Sequence, residues 1–230
     1  MIEGGGRAVI QCCITIMDEL FLKKQTCLLC ATKFKSSRVK RSKQYLLKRD
    51  SDFCVHYKGK NPDFYNVFVC PQCGYGFSEN FKSPPAEEKE IIKTKIKPPA
   101  DDLCGLRTVE QAILAYQTAL KCALLGKERE TIIAGLYLHL AWFNRFMKNE
   151  DAELEYLKKA MYYYEKAITT DRKLENPATV FYLIGEISSR TGDDKRAVKF
   201  FAHIVNDKKI NNPNIIRMAR ERWQEIRAAR

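Results

Sequence analysis

The second half of the chain carries a helical pattern. From Leu106 onward, apolar residues recur three and four positions apart, and Ala, Leu, Glu and Lys are frequent. Residues at this spacing share one face of a helix, so the pattern predicts amphipathic helices. Glycines, prolines and capping residues divide the segment into six helices, because these residues favour helix ends. The predicted helices cover about 108–125, 130–148, 151–170, 176–191 and 193–206, and the last begins at 212.

The first part of the chain has a different pattern. Residues 20–81 are rich in β-branched and aromatic side chains, which predict short strands. Residues 82–105 contain two proline pairs around a charged stretch, and proline interrupts both helices and central strands. The predicted organisation is therefore a disordered leader over 1–19, a β module over 20–81, a Pro-rich linker over 82–105 and a helical domain over 106–230.

An apolar run near the N-terminus raises the question of export. Residues 8–17 are mostly apolar, but a spanning helix needs about 20 such residues. A signal peptide can be this short, yet no small-residue cleavage site follows, and Asp18 and Glu19 come next. The sequence favours a protein that is neither exported nor membrane-bound, and it leaves open whether residues 1–16 belong to the mature protein.

A short pattern recurs within the helical part. A small residue is followed four positions later by an aromatic residue, and three positions after that by a small or apolar one. The copies are Ala112–Tyr116–Ala119, Ala160–Tyr164–Ala167 and Ala197–Phe201–Ile204. Gly185 lies twelve residues before Ala197, which resembles the tetratricopeptide repeat, a stack of helical hairpins. The middle copy departs from this spacing, because Ala160 lies 19 positions after Ala141. An ordinary helical bundle is the alternative, and under the repeat interpretation the first helix is a cap.

Two Cys-x-x-Cys pairs carry the strongest chemical signal. Cys27 and Cys30 form one pair, and Cys70 and Cys73 form the other, with 39 residues between the two pairs. Structural zinc sites bind four ligands at tetrahedral positions, and two residues between cysteines let both thiolates of a turn reach one ion. A redox dithiol is the rival, but it needs one such pair beside a βαβ pattern, which this chain lacks. The pairs therefore predict a structural Zn²⁺ site in a zinc-ribbon-like module.

Two further residues lie between the cysteine pairs. Cys54 and His56 are candidates for an alternative ligand or for a second-shell hydrogen bond to the metal site. Four thiolates already complete a structural zinc shell, so simple packing roles are the favoured alternative.

Charge suggests a further partner. The chain has a formal net charge of +12, and the stretch from residue 33 to residue 49 contains basic residues and no acid. Such a field attracts nucleic acid, with aromatic residues nearby as candidates for base stacking: Tyr45, Phe53, Tyr57 and Tyr65. The candidate contacts are Lys33, Lys35, Arg38, Lys40, Arg41, Lys43, Lys48 and Arg49. The alternative is a solvated basic loop beside a small aromatic core.

One string has a family resemblance. The segment from Arg49 to Cys54, together with Asn61-Pro62 and the second cysteine pair up to Tyr75, resembles an uncharacterised bacterial family, a domain of unknown function. Members of that family pair a zinc-ribbon-like N-terminal part with tetratricopeptide-like helices. The resemblance implies a cytoplasmic, zinc-binding bacterial protein that contacts other proteins, and it brings no substrate. Leu28 and Ala31 depart from the usual turn residues, which bears only on the shape of the first cysteine turn.

The expected fold is mainly α with a small β zinc-ribbon-like module, and α+β overall. No Gly-rich phosphate loop, nucleophile elbow or His-Glu-x-x-His string is present, so we expect no enzymatic activity. The leading hypothesis is an adaptor that holds a protein or peptide in a groove of its helical hairpins. Nucleic-acid binding by the basic zinc module is the alternative, and no membrane partner is expected.

Overall fold

The computed structural model describes residues 18–170 and 174–229. Nearly all of the predicted leader therefore lies outside the described residues. Within them the chain contains small antiparallel strand pairs followed by helices, which confirms the α+β prediction. It divides into two compact units. The first contains residues up to Asp50 and Val55–Glu128, and the second contains Ser51–Cys54 and the chain from Arg129 onward.

The strands of the first unit form three two-stranded antiparallel sheets. Each strand pairs with its neighbour in sequence: β1 (Leu20–Thr26) with β2 (Lys33–Val39), β3 (Tyr45–Arg49) with β4 (Val55–Lys58), and β5 (Val67–Val69) with β6 (Gly76–Ser78). Short 3₁₀ turns at Arg41–Lys43 and Pro62–Tyr65 connect these hairpins. The β5 strand is completely buried, which explains why its sequence is a continuous apolar run.

Seven α-helices lie in the described residues. They are α1 (Ala86–Lys95), α2 (Val109–Leu125), α3 (Glu130–Phe146), α4 (Glu150–Thr170), α5 (Pro177–Arg190), α6 (Asp194–Asn206) and α7 (Pro213–Ala228). The last six agree with the predicted helices, because local capping signals define their ends. Thr108 forms a capping box with Gln111, and Asp193 accepts a hydrogen bond from the backbone of Arg196. None of the described helices has an apolar stretch long enough to cross a bilayer.

The segment predicted as a linker contains helix α1. Pro85 precedes this helix, and the next proline pair follows it, so the prolines bound the helix instead of interrupting it. Acidic residues occupy its first turn and Lys93 and Lys95 its last, which suits the helix dipole. Ile92 is fully buried. Residues 86–95 therefore form a regular helix that packs within the first unit.

Helix α2 packs on the small sheet of β5 and β6. A Cβ at Gly76 would come within 2.6 Å of the backbone nitrogen of Ala119, so this contact requires glycine. The Gly76 N–H also donates to the Cys122 sulfur at 3.3 Å. The first copy of the recurring pattern, on α2, therefore faces strands. Helix α2 thus belongs to the first unit, whose boundary lies near residue 128, whereas the sequence suggested a boundary near residue 105.

Helices α3 to α7 form the second unit. Neighbouring helices pack against each other along the chain, with α3 on α4, α5 on α6 and α6 on α7. Ala160, Ala167 and Ala197 are completely buried where these helices meet. A Cβ at Gly185 would lie 2.6 Å from the ring of Phe201, so glycine allows that ring to fill the space between α5 and α6.

Asp52 is a buried anion of the second unit. Its side chain is completely inaccessible, and its carboxylate accepts hydrogen bonds from Arg145 at 2.6 and 3.2 Å and from the Trp142 indole at 3.1 Å. Arg190 adds a third cation at 3.4 Å. Burial lowers the pKa of Arg145, but the Asp52 carboxylate outweighs that effect and holds the pKa above its ordinary value. Residues distant in sequence thus neutralise one another inside the unit.

Candidate metal centre

The first cysteine pair lies in a tight turn between β1 and β2. The Ala31 N–H donates to the Cys27 carbonyl at 3.0 Å, and the Cys27 N–H donates to the Thr32 carbonyl at 2.9 Å. Ala31 has a φ of 60°, in the left-handed region that glycine favours. The Leu29 N–H points at the Cys27 sulfur at 3.4 Å, which suits a negatively charged thiolate. The turn forms despite the unusual residues noted in the sequence.

The second cysteine pair lies in a matching turn between β5 and β6. The Gly74 N–H donates to the Cys70 carbonyl at 2.8 Å, and the Cys70 N–H donates to the Tyr75 carbonyl at 2.9 Å. Gly74 has a φ of 76°, equivalent to that of Ala31. The Tyr75 and Phe77 rings stack with centroids 5.9 Å apart beside this turn. Two hairpins of the same geometry thus present two cysteines each.

The four cysteine sulfurs come together at one point. The Cys27 and Cys73 sulfurs are 3.6 Å apart, the Cys30 and Cys70 sulfurs are 3.7 Å apart, and all four lie within 4.8 Å of one another. Ligands 2.3 Å from a tetrahedral zinc are separated by about 3.8 Å, whereas a disulfide needs about 2.05 Å. The spacing therefore fits sulfurs around one ion and does not fit disulfides.

The protonation of the cluster also suits a cation. A hydrogen bond with the Cys73 thiol lowers the pKa of Cys27 to about 5, and the same contact raises the pKa of Cys73 above its usual range. Burial raises the pKa of Cys70 to about 11. A bound cation stabilises thiolates and displaces these protons, so metal affinity at this cluster falls as the pH is lowered.

Residues 31 and 74 occupy equivalent left-handed positions, so reciprocal substitutions should have opposite effects. We expect Ala31→Gly to stabilise the protein by about 0.5–1 kcal/mol, because the strain of a Cβ at positive φ is removed. We expect Gly74→Ala to destabilise it by more than about 1 kcal/mol, because the added Cβ is strained and would also lie 2.0 Å from the Lys97 carbonyl oxygen. Denaturant unfolding of the metal-loaded protein measures both changes, and equal effects of the same sign would contradict the equivalence.

Cys54 and His56 lie apart from the four-sulfur group. That group, as found among the described residues, comprises only Cys27, Cys30, Cys70 and Cys73. His56 lies on β4, and its Nε2 is 2.9 Å from a carboxylate oxygen of Asp50. Cys54 is completely buried. The second-shell role suggested for these two residues stays a prediction.

The basic stretch is spread over β2, the 3₁₀ turn and β3. Several of its cations pair with acids: Arg38 with Glu79, Lys40 and Lys43 with Asp18, and Lys48 with Asp50. Exposed cations without an ion pair to any described acid are Lys33, Lys35 and Arg41. Arg49 is exposed at the end of β3. Ion pairs therefore neutralise part of the positive charge of this stretch, and the charge is less concentrated than the sequence suggests.

The aromatic residues suggested for base stacking are mostly occupied elsewhere. Tyr65 is completely buried, and its hydroxyl accepts a hydrogen bond from the Arg107 backbone. The Phe53 ring packs on Tyr182, with centroids 5.3 Å apart. Burial raises the pKa of the half-buried Tyr57. Tyr45 alone among the four is exposed by more than half.

Arg107 supports the second cysteine turn and was not identified from the sequence. It is only 4% exposed, and its guanidinium donates to the carbonyls of Leu103, Phe64 and Val67 at 2.8, 2.8 and 2.9 Å. It thus holds the chain that enters β5, directly before Cys70. A single arginine gives no periodic signal, so sequence pattern could not identify this role.

Comparison with known proteins completes the picture. No curated protein and no solved structure matches the chain. A family model described as "Uncharacterized protein conserved in bacteria (DUF2225)" matches residues 20–226. The matched region includes both cysteine turns and extends into α7. It therefore covers nearly all the residues that the structure describes, and the chain belongs to this uncharacterised bacterial family.

Proposed function

We propose that the protein is a cytoplasmic, non-enzymatic adaptor in which a structural zinc ion stabilises the first unit and the helical unit binds a protein or peptide. The observation that carries the zinc assignment is the set of four sulfurs at tetrahedral spacing. Thiolates favour zinc over hard cations such as magnesium. Free thiol pairs persist in a reducing compartment, which supports a cytoplasmic location.

The ligand set supports a structural role over a catalytic one. A catalytic zinc keeps one coordination position for water or substrate, whereas four cysteine ligands fill the tetrahedron. Cys27 and Cys70 are buried, and backbone hydrogen bonds close the hairpin turns that hold them. A metal held in this way joins two hairpins and offers no open position for chemistry.

A tyrosine cluster on α3 and α4 supports a protein partner, with Tyr162 exposed, Tyr156 and Tyr163 partly exposed and Tyr137 buried. The Tyr137 ring lies 5.5 Å from Tyr163 and 6.2 Å from Tyr156 between centroids. Lys159 lies about 6 Å from the ring centres of Tyr137 and Tyr156, and Tyr162 is 60% exposed beside Tyr163. Tyrosine is enriched among the residues that dominate binding energy at protein interfaces. We call the accessible members of this cluster, Tyr156, Tyr162 and Tyr163, the tyrosine face.

The helical hairpins supply the framework for this face. The buried alanines of α4 and α6, and the close approach of Gly185 to Phe201, are the features expected of tetratricopeptide-like hairpins. Stacked hairpins form extended surfaces that hold peptides or protein segments. We therefore assign partner binding to the second unit.

Truncating the tyrosine face should remove the partner. We expect the double variant Tyr156→Ala and Tyr163→Ala to lose at least about tenfold in partner capture, since aromatic hot-spot residues each contribute about 2 kcal/mol or more. Affinity capture from nuclease-treated bacterial lysate, quantified by mass spectrometry, measures this loss. Thermal unfolding of the variant establishes that the helical unit remains folded.

The double variant Ile91→Ala and Leu106→Ala provides the matched control, because both are exposed apolar residues of the first unit. It should leave capture unchanged. If wild type and the tyrosine double variant capture the same proteins in the same amounts, the tyrosine face is not the binding surface. Loss of every partner on nuclease treatment would reject the adaptor assignment.

Nucleic-acid binding remains the second candidate, supported by the exposed cations Lys33, Lys35 and Arg41. Binding through phosphates weakens steeply as salt rises. Tyr65 is completely buried and the Phe53 ring packs on Tyr182, so neither is placed to stack on a base and the geometry favours this function less.

A further inference from the structure

The β3 strand exposes apolar side chains to solvent. The exposed fraction is 55% for Tyr45, 60% for Leu46 and 65% for Leu47. The remaining residues of β3 are exposed as well. Successive residues of a strand point to opposite faces, so both faces of β3 are uncovered at these positions. We call Tyr45, Leu46 and Leu47 the apolar ridge. Exposed large apolar residues in a cluster mark interaction sites more often than isolated ones do.

Cations flank the apolar ridge on both sides. Lys43 precedes it, and Lys48 and Arg49 follow it, with no acid between residues 33 and 49. Two of these cations pair with acids: Lys43 with Asp18 at 2.5 Å, and Lys48 with Asp50 at 3.2 Å. The Lys48 side chain stays 66% exposed despite its pair. The surface around the ridge therefore suits an anionic partner.

The geometry of β3 disfavours pairing with another strand. The register of β3 against β4 shifts between Leu46 and Lys48, as at a β-bulge. Bulges and edge lysines are the features with which proteins block the addition of a further strand. The ridge is therefore suited to contact through its side chains instead of its backbone.

We propose that the β3–β4 hairpin docks the protein on an anionic phospholipid surface. Leucine side chains neither stack on bases nor donate hydrogen bonds, so they add little to nucleic-acid binding, whereas the acyl boundary of a bilayer accepts them directly. The tyrosine ring suits the headgroup region, and the flanking cations bind anionic headgroups.

Peripheral docking of this kind needs no spanning helix. The sequence predicts no membrane partner because its N-terminal apolar run is too short to span a bilayer. That reason does not concern the β3 hairpin. Two signals together, an apolar insertion and a basic patch, give stable attachment where one alone gives only weak binding. The ridge and its flanking cations supply both on one hairpin.

Vesicle sedimentation tests the proposal with the full, metal-loaded chain. Vesicles of phosphatidylcholine and phosphatidylglycerol in equal parts should bind the protein, and vesicles of phosphatidylcholine alone should not. The double variant Leu46→Ser and Leu47→Ser should bind at least about tenfold more weakly, because the apolar insertion is lost. Lys48→Gln with Arg49→Gln should weaken binding and reduce its sensitivity to salt.

Matched controls come from the same unit. Ile91→Ser with Leu106→Ser removes two apolar residues that are 39% and 44% exposed, and Lys82→Gln with Lys97→Gln removes two exposed cations. Both controls should bind like wild type. The proposal is overturned if wild type ignores anionic vesicles, or if ridge and control variants weaken binding equally. It is also overturned if a single-stranded oligonucleotide binds through the ridge while vesicles do not.

Discussion

Replacing Cys70 and Cys73 by serine is expected to release the metal and unfold the two cysteine hairpins. Serine oxygens bind zinc far less well than thiolates, so two substitutions leave too few ligands to hold the ion. Structural zinc contributes about 10–16 kcal/mol of apparent binding energy to small modules, comparable to the whole stability of a domain. A two-stranded hairpin is at best marginally stable by itself, so loss of the metal removes a cross-link that supports β1–β2 and β5–β6 in addition to the packing of β5–β6 on α2.

Metal content and limited proteolysis measure this result. Wild type should contain one zinc per chain, and the double variant should contain none and be cleaved between residues 20 and 80. Cys104→Ser is the matched control, because the Cys104 sulfur contacts the Val69 carbonyl at 3.6 Å and does not belong to the four-sulfur group. Freshly purified wild-type protein without stoichiometric metal would disprove the metal centre.

Asp52→Ala should be the most damaging single substitution in the helical unit. The carboxylate is completely buried, and its removal leaves the largely buried Arg145 and the Trp142 indole without their partner. Breaking one side of a buried ion pair costs about 3–5 kcal/mol, because the remaining charge stays desolvated. Glu153, at 2.8 Å from Arg145, retains one acidic contact and moderates the loss.

Denaturant unfolding monitored by tryptophan fluorescence suits this test, since Trp142 contacts the mutated residue directly. Glu221→Ala is the control, because Glu221 pairs with Arg217 on an exposed helix surface where such pairs contribute at most about 1 kcal/mol. The double variant Asp52→Ala and Arg145→Met should recover part of the lost stability, because it removes both charges together. A loss below that of the control would show that the buried pair has no special role.

The sequence identified features that depend on local chemistry. The ends of the last six helices follow from residues such as Thr108, Asp193 and Pro213, whose capping preferences act within one turn. The metal ligands were identifiable because two residues between cysteines suit a turn around an ion. The left-handed conformation of Ala31 could not be predicted from the sequence, since alanine disfavours it.

Long-range packing could not be derived from the same patterns. Helix α1 was interpreted as part of a linker, because proline pairs delimit a short helix and a flexible segment alike. The pattern on α2 predicts a helical neighbour, yet Gly76 allows the β5–β6 sheet to occupy that face. The contact between Asp52 and Arg145 joins residues 93 positions apart, and no local preference encodes such a partner.

The position of Ser51–Cys54 has a practical consequence for the design of expression fragments. These four residues precede most of the first unit in the chain but belong to the second. An expression fragment that begins at residue 106 or residue 129 would lack Asp52, and Arg145 would lose the carboxylate that neutralises it. The helices therefore do not form a complete module when they are expressed from the apparent boundary onward. A peptide spanning residues 49–56, added to such a fragment, would supply the absent carboxylate.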